Sequence, residues 1–168
     1  MVGNPIPRTF PTHPRSHNQG CALVLIDGGS ALNILFTRSL EELGLKKKDL
    51  TPMDSPFWGI IPGKASLPLG HIILSVKFGT AKHFYVDYIN FLIADFNSAY
   101  HTSVARQALA KFMAVPHYTY LVLKKSTELG VLSLRANLNV AYNYEKESFA
   151  LAEATDISIR MLDYIATS

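Results

Sequence analysis

The chain has little cysteine and no long apolar run. Cys21 is the single cysteine among 168 residues, so an internal disulfide is impossible and a reducing compartment fits. No apolar run approaches the roughly 20 residues of a transmembrane helix. Residues 1–20 contain prolines, histidines and arginines instead of the apolar core of a signal peptide. These absences predict a soluble cytoplasmic protein without a membrane partner.

Neither sign of charge dominates the sequence. The net charge is +3 with 17% charged residues, and Lys46-Lys47-Lys48 is the one dense cluster. We interpret that cluster as a solvated turn after a short helix, so nucleic acid is not expected as a partner; a nucleic-acid-binding domain would rest on this mild basicity alone. A hydrophobic content of 48% is typical of a globular chain.

The sequence also lacks a pattern for a metal or for a serine nucleophile. His13, His17 and Cys21 are spaced by four, but no second cysteine accompanies them, so we predict no metal site. Ser30 lacks the Gly-x-Ser-x-Gly elbow of serine hydrolases. No cofactor is predicted.

What the sequence does contain is a series of short strand patterns. Runs rich in Val, Ile, Leu, Phe and Tyr and bounded by turn residues predict strands at 21–26, 31–36, 72–78, 84–94 and 118–123. Short helices are predicted at 37–43, from a threonine cap to Gly44, and at 103–113. A third helix at 142–153 is expected to lie outside the β domain. The predicted fold class is all-β, closed or sandwiched, with one or two short helices. Four tyrosines that alternate along these strands are expected in core or interface packing: Tyr85, Tyr88, Tyr118 and Tyr120.

A distinctive tetrapeptide follows the apolar run 22–26. It consists of Asp27, Gly28, Gly29 and Ser30. The glycines allow a sharp turn and close approach of the backbone to a reacting group, and the Ser30 hydroxyl can donate a hydrogen bond to the carboxylate. An aspartic peptidase presents its catalytic aspartate in this way, at the end of a buried strand; an ordinary Asp-Gly-Gly turn is the alternative.

Residues 24–36, which contain this motif, closely resemble the active-site strand and loop of retropepsins encoded by plant gypsy-type LTR retrotransposons. Further similarities follow in order: residues 58–64 resemble the flap, 68–79 the next strand pair, 91–101 the segment before the helix, and 130–135 the connector to reverse transcriptase. The resemblance covers residues 20 to 157.

The resemblance implies a retropepsin-like fold, an acid-protease half-barrel, and an aspartic endopeptidase that cleaves a retrotransposon gag-pol polyprotein. Two carboxylates that share a proton are needed for this chemistry. Only Asp27 has the required loop, so the enzyme is expected to be a homodimer in which the Asp27 residues of the two subunits meet at the two-fold axis.

The resemblance also assigns residues around Asp27. The active-site loop contains Gly28, Gly29 and Ser30, and the loop beneath it contains Val104, Ala105 and Arg106. A flap that closes on an extended polypeptide substrate is expected to contain Trp58, Gly59, Ile60, Ile61 and Gly63. Taken by itself, the flap segment is also compatible with an ordinary Gly/Pro hairpin turn.

Three departures from the family favour an alternative, a catalytically inactive and truncated retropepsin-like relic that acts as a folding or dimerisation module. Gly28 replaces a threonine or serine whose hydroxyl bonds across the dimer interface, and Ala105 replaces a glycine. The strand that precedes the active-site strand is not recognisable. The predicted division is a flexible arm at 1–20, the protease domain at 21–125, and a linker or C-terminal extension at 126–168.

Overall fold

The computed structural model describes residues 23–58, 65–80 and 82–166. Several predictions fall outside these ranges: the N-terminal arm, Cys21, and the flap residues Gly59, Ile60, Ile61 and Gly63.

Most elements in the described part of the chain are strands, which confirms the all-β class; two helices are short, and a third has 29 residues. The strands are β1 Val24–Asp27, β2 Ile34–Phe36, β3 Phe57–Trp58, β4 Ala65–Ser66, β5 Gly70–Gly79, β6 Phe84–Ala94, β7 Thr102–Ala105, β8 Ala114–His117, β9 Val122–Thr127 and β10 Gly130–Arg135. The helices are α1 Thr37–Glu42, α2 Arg106–Lys111 and α3 Leu138–Ala166, with a 3₁₀ turn at Lys47–Asp49.

The largest sheet has five strands in the order β1-β7-β2-β6-β5. Strand β7 lies between β1 and β2, parallel to β1 and antiparallel to β2. The chain that joins β1 to β2 must therefore pass the end of β7. This connection contains Gly28, Gly29 and Ser30, so the topology brings the predicted active-site loop next to the residues that follow β7.

Two predicted elements differ from the structure in type. Residues 102–105 form a strand and not the start of a helix, because all four are buried and pair with β1, and Thr102 and Ser103 also pair with β2. Residues 118–121 form a turn, and β9 begins at Val122. The threonine cap of α1 is also wrong: Thr37 is the first helical residue, and its hydroxyl donates to the Ala94 carbonyl. The end of α1 at Gly44 is confirmed by its positive φ of 68°.

The segment 130–135, which was expected in the linker, is part of a sheet. Strand β10 pairs with β9, which pairs with β8. Leu132 and Leu134 are buried in the main core. The boundary predicted at residue 125 falls inside β9, and the division into domains stays a prediction.

The five-stranded sheet packs side chains on both faces. Successive residues of a strand point to opposite faces, so Leu35 lies in the main core while Ile34 and Phe36 lie in a second cluster. Strand β6 alternates in the same way, with Ile93 in the main core and Leu92 in the second cluster. Both faces of these strands are therefore covered.

Helix α3 contributes to the cover of the second face. Asn137 Oδ1 accepts the backbone N–H groups of Asn139 and Val140 at 3.0 and 3.2 Å, which caps the start of the helix. Ala141 is buried in the second cluster, and Tyr144 packs against it. The expectation that this helix lies outside the β domain is therefore wrong. Within the described ranges, no helix has the length and apolar character needed to cross a membrane.

Candidate active site

The Asp27 carboxylate is held by the backbone of its own loop. Its Oδ1 accepts hydrogen bonds from the N–H groups of Gly29 at 3.0 Å and Ser30 at 3.2 Å. The Ser30 hydroxyl, which was expected to donate to the carboxylate, instead donates to the Leu32 carbonyl and accepts from the Leu32 N–H. The serine therefore stabilises the loop, while its amide orients Asp27.

Two backbone amides at the end of β7, those of Ala105 and Arg106, secure the loop from the other side. Asp27 and Ala105 are partners in the parallel register of β1 and β7. The N–H of Ala105 donates to Asn33 Oδ1 at 2.8 Å, and the N–H of Arg106 donates to the Ser30 carbonyl at 3.2 Å. The structure thus places Ala105, which is fully buried, and Arg106 directly against the loop.

Asn33 is a site residue that the sequence patterns did not indicate. Its side chain is 4% exposed. Besides accepting from Ala105, its Nδ2 donates to the Asn90 carbonyl at 3.2 Å. One amide side chain therefore links the active-site loop to both β6 and β7.

Tyr118 is a second such residue, and it contacts the loop from the turn between β8 and β9. The N–H of Gly28 donates to the Tyr118 hydroxyl at 2.8 Å. A Cβ atom at position 28 would lie 2.4 Å from this oxygen. Tyr118 was expected on a strand, in core or interface packing. It lies in a turn instead and is 46% exposed.

Asp27 lies between two open cavities. The first, of about 800 Å³, extends toward Leu109, Pro116 and Tyr118. The second, of about 580 Å³, is lined by apolar side chains of the second face and by Ser148 of α3. Among the described residues, Asp27 is the only carboxylate that lines either cavity.

A two-stranded hairpin occupies the position of the predicted flap in the chain. Strands β3 and β4 pair in antiparallel register, with Phe57 opposite Ser66 and Trp58 opposite Ala65. Trp58 is therefore in a hairpin strand, and the other predicted flap residues lie outside the described residues.

The described residues contain no group of three or more His, Cys, Asp and Glu side chains that could hold a metal ion. Of the histidines in these ranges, His101 is buried and structural. Its Nδ1 accepts the Leu23 N–H at 3.1 Å, and its Nε2 lies 3.0 Å from Glu42.

Tyr100 lines the second cavity, and its ionisation is expected to lower the stability of the protein at high pH. Burial raises the pKa of its phenol above the ordinary 10.0; Glu145 raises it further, and the neighbouring Ser148 hydroxyl has the opposite effect. Between the unfolded and folded pKa values the phenol keeps its proton in the folded state and loses it in the unfolded state. The contribution of Tyr100 to the free energy of unfolding is therefore complete below about pH 10 and declines as the pH rises through the folded pKa. Urea denaturation should show that the free energy of unfolding falls less between about pH 9 and about pH 11 for Tyr100→Phe than for wild type. Equal declines would refute this origin.

No protein-family model matches the chain, and no curated protein matches it. Among solved structures, the chain is similar to the retroviral protease-like domain of Ddi1 from Leishmania major. The sequences are 16% identical, the TM-score is 0.44, and the match covers 67% of this chain and 79% of that chain.

Proposed function

We propose that the chain is a retropepsin-type aspartic endopeptidase that acts as a homodimer with Asp27 of each subunit at the active site. The orientation of the Asp27 carboxylate carries this proposal. Backbone amides hold Oδ1, and Oδ2 accepts no hydrogen bond from within the described ranges, which leaves it available to a water molecule. The carboxylate also opens on two cavities that can receive the substrate on either side of the scissile bond.

The need for a second copy follows from the chemistry and from the cavities. Peptide hydrolysis requires one carboxylate that removes a proton from water and another that protonates the carbonyl oxygen and then the leaving amine. Asp27 is the sole carboxylate lining the cavities in the described part of the chain. The second carboxylate is therefore supplied by Asp27 of the other subunit, close enough for the two to share one proton.

The substrate in this proposal is an extended polypeptide, and its natural source is a retrotransposon gag-pol polyprotein in the cytoplasm. The apolar lining of the second cavity, which includes Leu25, Ile34 and Phe96, suits hydrophobic side chains on the peptide. The hairpin of β3 and β4 would cover the bound peptide and offer backbone hydrogen bonds to it.

Cleavage of a mixed peptide library between pH 4 and 7 tests the proposal. Activity of the dilute protein should rise with the square of its concentration, because two chains make one site. A statine-type mimic of the tetrahedral intermediate should inhibit it. Cleavage that is linear in protein concentration down to the lowest measurable level would contradict the dimeric site.

The alternative function is that of a folded but inactive relic. One observation favours it: the Gly28 amide, at the position where the family bonds across the dimer interface, is already satisfied by Tyr118 of the same chain. A monomer by sedimentation at micromolar concentration, with cooperative unfolding and no cleavage, would support this alternative.

A further inference from the structure

We infer that Tyr118 is a positioning residue for Asp27. Gly28 has no side chain that could secure the loop, and the Tyr118 hydroxyl of the same chain secures it instead. This inference rests on the proposed function, since it assigns Asp27 the chemistry. The loop that carries the carboxylate is then formed before two chains meet.

The contact is specific to the hydroxyl and to glycine at position 28. The Tyr118 oxygen accepts the Gly28 N–H at 2.8 Å. A Cβ atom on Gly28 would approach this oxygen to 2.4 Å but would be 3.7 Å from the ring carbon that bears it, which is an ordinary contact. A glycine and a tyrosine 90 residues apart therefore fit each other, and a threonine at position 28 would displace the hydroxyl.

The turn that carries Tyr118 is anchored at several points. The Leu121 N–H donates to the Tyr118 carbonyl at 3.4 Å, and the Ala136 N–H donates to the Leu121 carbonyl at 2.8 Å. Buried Lys125 of β9 donates to the Phe112 carbonyl at the end of α2 at 2.6 Å. The three-stranded sheet is thus tied to the helix that follows the loop beneath Asp27.

The hydrogen bond acts on Asp27 through the peptide group that follows it. Along the chain, Gly28 lies between Asp27 and the two residues whose amides hold Oδ1, Gly29 and Ser30. Because a hydroxyl can accept one hydrogen bond and still donate another, Tyr118 can hold this amide while its proton stays available. Fixing Gly28 keeps the two donors directed at the carboxylate.

The test compares Tyr118→Phe with Tyr120→Phe, since Tyr120 lies in the same turn, is 71% exposed and packs its ring against His117. Amide hydrogen exchange by NMR should accelerate about five- to tenfold at Gly28 in Tyr118→Phe, with smaller increases at Gly29 and Ser30. The Ala105 amide, bonded to Asn33, should be unchanged, and Tyr120→Phe should match wild type. Unchanged exchange at Gly28 would overturn the inference.

Gly28→Ala extends the test to the steric fit. In the wild-type background it should disrupt the contact and accelerate exchange at Gly29 and Ser30, whereas in Tyr118→Phe it should add nothing. Additive effects would overturn the inference. Where the protein cleaves peptides, Tyr118→Phe should lower kcat and leave KM unchanged. Because exchange does not depend on cleavage, an inactive wild type with a protected Gly28 amide would refute the proposed function and still support the assignment of Tyr118 to the loop.

Discussion

Replacement of Asp27 by asparagine is expected to abolish peptide cleavage and to leave the fold intact. Asparagine retains an oxygen that can accept the Gly29 and Ser30 amides, so the loop keeps its hydrogen bonds. It cannot exchange a proton with the attacking water. General acid–base catalysis contributes about 10²- to 10⁴-fold, and both subunits of the dimer lose it, so a decrease of at least about 10³-fold is expected. Peptide cleavage and thermal unfolding of the same preparation measure the two effects.

A matched control and a mixing experiment sharpen this prediction. Glu128→Gln removes an exposed carboxylate in the turn between β9 and β10, outside both cavities, and should retain full activity. When equal amounts of wild type and Asp27→Asn exchange subunits at constant total protein, about one quarter of the dimers keep both aspartates. A residual activity near one half would indicate independent monomers, and undiminished cleavage by Asp27→Asn alone would exclude Asp27 as the catalytic residue.

Replacement of Asn33 by alanine is expected to cause the largest loss of stability. The change leaves two backbone groups without their partner, the Ala105 N–H and the Asn90 carbonyl. Ala105 is fully buried, so its N–H cannot turn to water. An unsatisfied buried group costs about 1–3 kcal/mol, and Asn90 is exposed, so its carbonyl can bond to water; a decrease of about 1–3 kcal/mol in the free energy of unfolding is therefore expected. Urea denaturation followed by circular dichroism measures this decrease, which is large against a typical total of about 5–15 kcal/mol.

Asn33→Asp separates the two hydrogen bonds of this side chain. Aspartate keeps an oxygen acceptor for the Ala105 N–H and loses the donor to the Asn90 carbonyl. If the Ala105 bond matters most for the loop, amide exchange at Ala105 should stay slow in Asn33→Asp and accelerate in Asn33→Ala. A loss below about 0.5 kcal/mol for Asn33→Ala would show that the buried groups find other partners.

The sequence by itself determined the local features of the site. The apolar run before Asp27 predicts β1, and the two glycines predict a tight loop after it. The donors to the carboxylate were predicted wrongly, because the Gly29 and Ser30 amides hold it and the Ser30 hydroxyl does not. Gly44 predicts the end of α1 because glycine adopts a positive φ at little cost. The chemistry of Asp27 is proposed from these residues and from the resemblance they carry.

Only the tertiary structure decided what surrounds that loop. The insertion of β7 between β1 and β2 makes residues 102–105 a strand, although their spacing also suits the first turn of a helix. Asn33 and Ala105 are 72 residues apart, and Gly28 and Tyr118 are 90 apart. A local pattern reports on neighbours in sequence through backbone preferences and the alternation of apolar side chains. Hydrogen bonds between distant residues depend on the path of the whole chain, so they arise only when the sheets have packed.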